Sequence, residues 1–141
     1  MKQLFVPIEL ARKLKEKGFD ERCFAMYTNR YKFGLESPVA ISQHEGSSIK
    51  GDRNSEFNKG AEFEYVTAPL YQQVTDWLRD KHKIYIEMLV EGLDDTTQNE
   101  LYYRTFIWQI GKPKPEASDD IGCSDYYAIL QRTIEEAFER I

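Results

Sequence analysis

The chain has 141 residues, 41% of them hydrophobic and 30% charged, with a net charge of −5. That length buries roughly two-thirds of the unfolded surface, so neither disulfides nor a metal is required for folding. The 13% aromatic content argues against global disorder, and no apolar run approaches the ~20 residues of a membrane helix.

Charge is unevenly spread. Residues 1–66 carry 11 Lys and Arg against 10 Asp and Glu, whereas residues 67–141 carry 8 against 14. An acidic second half is a poor match for phosphate-backbone binding and suits solubility or a basic partner. The N-terminus has no long apolar core, and Pro7 and Glu9 interrupt it. It reads as mature protein rather than a signal peptide, with the cytoplasm as the expected compartment.

The first helix is expected to start at Pro7, whose missing N–H is harmless in a first turn. Ile8, Leu10, Ala11 and Leu14 give it an apolar stripe, and Glu9 and Lys13 form an i,i+4 pair. Lys13, Lys15 and Lys17 suit the C-terminal dipole. Gly18 then stops the helix, with Phe19 placed to touch Leu14 as in a Schellman motif.

Residues Arg22–Thr28 are rich in β-formers and predict a strand. Asn29 is a turn residue, Tyr31–Leu35 a hairpin partner, and Val39–Ser42 a further short strand. Residues 43–60 predict a long mobile polar loop. Ala61–Val66 alternates, with Phe63 and Tyr65 on one face and Glu62 and Glu64 on the other. Those two acids discourage edge-to-edge pairing of this strand with a second copy.

A second helix is expected from Pro69 to Lys81, with Leu70, Val74, Trp77 and Leu78 as its stripe. In the strand Ile84–Val90, residues Ile84, Ile86, Met88 and Val90 share one face, and Tyr85, Glu87 and Leu89 the other. Glu91–Glu100 reads as a hairpin connection to Leu101–Ile110, where Tyr102, Arg104, Phe106, Trp108 and Ile110 share a face. Pro113 and Pro115 cannot continue a ladder, which makes 111–123 a loop. The last helix runs from Asp125 to Ile141, capped by Ser124, on a stripe of Tyr127, Leu130, Ile134, Ala137, Phe138 and Ile141.

Catalytic chemistry finds little to build on. Cys23 and Cys123 are a hundred residues apart with no Cys-x-x-Cys pair, and free thiols are expected in a reducing compartment. Metal-ligand spacings, an EF-hand loop and phosphate-binding glycine loops are absent from the sequence. Asp94-Asp95 and Asp119-Asp120 are adjacent acids that diverge along a backbone. Cys23 with His44 or His82 is the one Cys–His combination near the first strand, and His82 fits a helix C-terminus better than a base. Accordingly no catalytic, metal or cofactor residue is assigned.

Three blocks, Val6–Cys23, Ala68–His82 and Asp125–Phe138, together resemble a group of small proteins from gut anaerobes and their phages and plasmids. They cover about a third of the chain. The resemblance implies a short α+β domain and mobile-element or prophage cargo. It carries no activity and no site residues. Within the blocks, Gln72, Gln73, Tyr71 and Trp77 are expected in scaffold roles.

The expectation is a single α+β domain over residues 1–141, a small antiparallel sheet with three helices mainly on one face. The leading function is a non-enzymatic accessory protein that binds another protein, as a monomer or weak homodimer. Exposed Tyr102, Tyr103, Arg104 and Tyr126, with the basic-aromatic Arg30, Tyr31 and Lys32, form the candidate surface. The alternatives are single-stranded nucleic-acid binding through the aromatic sheet face, which the net charge disfavours, and an enzyme with an unrecognised site.

Overall fold

The computed structural model describes residues 2–40, 51–57, 60, 62–93, 101–117 and 124–141. It is an α+β structure with three helices, α1 (Ile8–Glu16), α2 (Tyr71–His82) and α3 (Tyr126–Phe138). The strands are β1 (Ala25–Thr28), β2 (Val39–Ala40), β3 (Tyr65–Thr67), β4 (Ile84–Leu93), β5 (Leu101–Gln109) and β6 (Glu116–Ala117). All pair antiparallel, but in two three-stranded sheets, ordered β2-β1-β3 and β4-β5-β6. The chain forms two compact units, residues 1–74 and 75–141. No helix among the described residues is long and apolar enough to cross a membrane.

In the first unit, α1 buries Leu10, Ala11 and Leu14. Its stop is a full Schellman motif: Phe19 N–H donates to Leu14 O at 2.9 Å and Gly18 N–H to Lys15 O at 3.1 Å. Gly18 supplies the left-handed backbone the motif requires, with φ +87°. Glu9 is ion-paired with Arg12, one turn on, rather than in the expected pair with Lys13.

The strand expected over Arg22–Thr28 begins only at Ala25. Cys23 instead exchanges backbone hydrogen bonds with Asp52, at 2.9 and 3.0 Å, as an isolated bridge. Residues Tyr31–Leu35 are a turn, not a hairpin strand. Thr28 N–H reaches Gly34 O at 3.0 Å and Gly34 N–H reaches Tyr31 O at 2.9 Å, so these backbone groups close on each other locally. β2 ends its described span at Ala40, and Ile41–Ser42 lie outside the described residues.

Of the expected loop 43–60, residues 51–57 are anchored, with a 3-10 turn at Asn54–Glu56; 43–50 and 58–59 lie outside the described residues. Ser55 N–H and Oγ both donate to the Asp20 carboxylate, and Arg22 pairs with Glu56 at 2.8 Å. Buried Asn54 donates to Phe19 O and accepts from Thr67 N–H, both at 3.0 Å. β3 starts at Tyr65, with 62–64 outside the ladder, because β1 ends opposite it at Thr28 and Glu64 N–H turns to the Asn29 side chain at 2.8 Å; Ala61 lies outside the described residues.

Leu70 precedes the second helix as a bridge to Phe5, so α2 starts at Tyr71. Gln73 has the expected scaffold role: its Oε1 accepts from Leu70 N–H at 3.0 Å and its Nε2 donates to Arg22 O at 2.8 Å.

In the second unit, β4 is longer than expected, because Glu91–Leu93 continue the ladder instead of opening a connection. The register slips between Val90 and Gly92, leaving Glu91 as the extra residue of a bulge. Residues 94–100 and 118–123, including the Asp pairs and Cys123, lie outside the described residues. Glu116 and Ala117, directly after the two prolines, recover their N–H groups and form β6 beside β5 within the expected loop.

α3 covers one face of this sheet. Ile129, Leu130, Thr133, Ile134, Ala137 and Phe138 are its buried residues, so Ile129 and Thr133 join the expected stripe. Its cap is Asp125, one residue later than expected. The Asp125 carboxylate accepts from Tyr127 N–H and Ala128 N–H, both at 3.0 Å, the geometry of an N-cap side chain.

Candidate interaction surface on the second sheet

Alternation along β4 and β5 divides their side chains cleanly between two faces. On the inner face, Ile84 and Ile107 are fully buried, and Thr105 Oγ1 meets Thr133 Oγ1 of α3 at 2.6 Å. The outer face carries Tyr85, Glu87 and Leu89 of β4 opposite Trp108, Phe106 and Arg104 of β5, in register. Several of its apolar members are substantially exposed: Tyr85 and Trp108 at 41% each, Leu89 at 44%, and Ile110, just past β5, at 67%, while Phe106 is half-buried.

Polar contacts order this face. Trp108 Nε1 donates to Glu87 Oε2 at 2.8 Å, and Arg104 Nε pairs with Glu91 Oε1 at 3.0 Å. Glu91, the extra residue of the bulge, is the acid that meets Arg104. At one end, Tyr85, Glu87, Trp108, Ile110, Gly111 and Lys112 line an open groove of about 780 Å³. Lys112 Nζ is held by Glu116 at 2.8 Å, and Glu116 also binds Arg140 at 2.8 Å. The Lys112 hydrogen bond, with the charge of Arg140, holds the Glu116 carboxyl below the usual carboxylate range. No cation is paired with Glu87 among the described residues.

The residues singled out from the sequence fall into three places. Tyr102 and Arg104 lie on the outer face. Tyr103 points the other way, its ring 5.4 Å from that of Tyr126 in α3, and Tyr126 stacks edge-on to Tyr127 at 5.1 Å. Arg30, Tyr31 and Lys32 belong to the first unit, in the turn after β1. There the Arg30 guanidinium lies 5.8 Å from the Tyr31 ring centre and Lys32 Nζ 5.4 Å from that of Phe33, with Tyr31 and Phe33 exposed.

Tyr85, Glu87 and the 110–112 turn were not singled out from the sequence. The period-2 pattern put Tyr85 and Glu87 on the face opposite Ile84 and Ile86; what it lacked was the register that sets Tyr85 beside Trp108.

Of the residues weighed for catalysis, Cys23 and His82 are described, and both sit in packed surroundings. Cys23 is buried, and that burial pushes its thiol up to about 11. Its Sγ contacts Glu21 O at 3.6 Å. His82 packs edge-on to Trp77, ring centres 4.4 Å apart, and His44 lies outside the described residues. Among the described residues no three His, Cys, Asp or Glu side chains gather in a metal-holding group.

No protein-family model matches the chain, and no curated protein or solved structure matches it either.

Proposed function

We propose that this chain is a non-enzymatic accessory protein that binds another protein through the outer face of the β4–β5 hairpin. The observation that carries this reading is the uncovered row of Tyr85, Leu89, Trp108 and Ile110 on a face ordered by hydrogen-bonded charges. Aromatic anchors within a polar rim are the composition of an interface centre. The sequence resemblance suggests a mobile element or prophage as its setting.

Charge separates this reading from single-strand nucleic-acid binding. A stacking face needs cations that track phosphates. On this face Arg104 is taken by Glu91 and Lys112 by Glu116, and Glu87 adds a negative charge.

The test is capture of partners by tagged protein from its source cells, with nuclease present, comparing wild type with Trp108→Ala and Tyr85→Ala. A protein retained by wild type and lost in both variants supports the reading. Capture that survives both substitutions, or vanishes with nuclease in the wild type, overturns it.

A further inference from the structure

We propose that the groove at Tyr85, Glu87 and Trp108 receives an arginine side chain from a basic segment of the partner protein. This rests on the reading of the outer face as a protein-binding surface and names the chemistry of what binds there.

The register supplies the geometry. Tyr85 and Trp108 are directly opposed cross-strand partners, so both rings stand on one face as neighbours. Glu87 is two residues along β4, on the same face, and reaches back to the indole N–H at 2.8 Å. Two aromatic rings thus lie beside a carboxylate at the mouth of an open groove.

Each part favours a cation. Trp and Tyr faces attract cations through their quadrupoles, Trp most strongly. Donation of the indole N–H to a carboxylate enriches the ring in electron density and strengthens that attraction. Only Oε2 of Glu87 is engaged by Trp108, which leaves Oε1 to accept from an incoming donor. Lys112, the cation nearest in the lining, is already neutralised by Glu116.

The combination selects arginine over lysine. A planar guanidinium stacks flat on a ring while its in-plane N–H groups reach a carboxylate; an ammonium is a compact, strongly hydrated point charge. The surrounding charge agrees, because residues 75–141 hold 8 Lys and Arg against 14 Asp and Glu. That field draws in a basic segment and repels an acidic one.

Fluorescence anisotropy with a labelled, end-capped pentapeptide containing two arginines tests this. Glu87→Gln is the informative variant, since its amide oxygen still accepts from Trp108 while the charge and the acceptor offered to the guanidinium are both removed. The expected result is saturable binding to wild type, weakened by added salt, about tenfold or more weaker in Glu87→Gln, and weaker for the lysine counterpart. No binding, or equal binding to wild type and Glu87→Gln, overturns the assignment. Free arginine amide competing as well as the peptide overturns the protein origin of the ligand. Circular dichroism of the variant confirms its fold. Partner capture lost in Trp108→Ala without any arginine-peptide binding would leave the interface standing and remove only the arginine. Capture that persists in Trp108→Ala would remove the interface itself.

Discussion

Arg12 of α1 and Glu64 meet as a fork, Nε to Oε1 and Nη2 to Oε2, each at 2.8 Å. The Arg12 hydrogen bonds hold the Glu64 carboxyl below the usual carboxylate range, against a smaller opposing effect of burial. A carboxyl lowered in the folded state stabilises the protein above its unfolded pKa, and that stability is lost as pH falls through the folded value. Both side chains are about a third exposed, 35% and 36%, so the pair contributes only about 0.5–1 kcal/mol. Urea unfolding at pH 7 should show Glu64→Gln less stable by that amount. The difference should close in the acid range below the ordinary Glu titration. A constant difference across pH would show that the ionic fork is not its source.

Asn54 serves two buried backbone groups at once, Phe19 O and Thr67 N–H. Asn54→Ala strands both, and an unsatisfied buried group costs about 1–3 kcal/mol. A loss of about 2–4 kcal/mol is expected in urea unfolding, with an unchanged m-value. Asn54→Asp keeps the acceptor for Thr67 but cannot donate to Phe19 while ionised, so it should be partly rescued at low pH.

Thr133 Oγ1 donates its one hydrogen to Ile129 O at 2.8 Å, which makes Thr105 the donor in the 2.6 Å hydroxyl pair. The two valine substitutions are therefore unequal. Thr105→Val removes a donor and leaves Thr133 bonded to its own helix. Thr133→Val leaves a buried Thr105 hydroxyl without its acceptor, at about 1–2 kcal/mol. The double variant should recover most of that loss, since both polar groups are gone. Equal single-mutant costs would reverse the donor assignment.

The buried Cys23 thiol, raised to about 11, should resist alkylation in the native protein at pH 8. A Cys123→Ser variant isolates it. Ellman's reagent should find no fast-reacting thiol until urea is added, and one thereafter. Tyr27, whose hydroxyl donates to Val6 O at 2.7 Å, is raised by burial to about 12. Acids raised in the folded state confer stability that is complete below their unfolded values, ~8.5 for Cys and ~10 for Tyr, and fades as pH rises through the folded ones. Stability should therefore decline above pH ~8.5, and Cys23→Ala should flatten the first part of that decline.

Gly18 and Gly51 both occupy the left-handed region, at φ +87° and +64°, but in different surroundings. A Cβ at Gly18 meets nothing within 4 Å, whereas one at Gly51 would lie 2.4 Å from Cys23 O. Gly18→Ala should cost only the backbone term, about 1–2 kcal/mol. Gly51→Ala should cost clearly more, because it forces apart the Cys23–Asp52 pair. Thermal unfolding midpoints of the two variants give the comparison.

The amino-acid sequence by itself determined the local elements. Gly18 and Phe19 stop α1 because the motif is closed by residues five apart in the chain. The stripes of Leu10, Ala11 and Leu14 and of Leu130, Ile134, Ala137 and Phe138 mark buried faces because 3.6-residue periodicity needs no partner to be read. The two faces of β4 were legible for the same reason. Tertiary structure decided whatever depends on a second segment. Cys23 pairs with Asp52 and Asn54 ties Phe19 to Thr67 across separations that no local pattern encodes. Two sheets rather than one follow from which strand edges meet. The candidate site belongs to this second class. Tyr85, Glu87 and Trp108 become one surface only through the β4–β5 register, and the aromatic face of β5 is open because α3 packs on the other side. A strand's alternation separates two faces, but only its packing partner determines which of them is left to solvent.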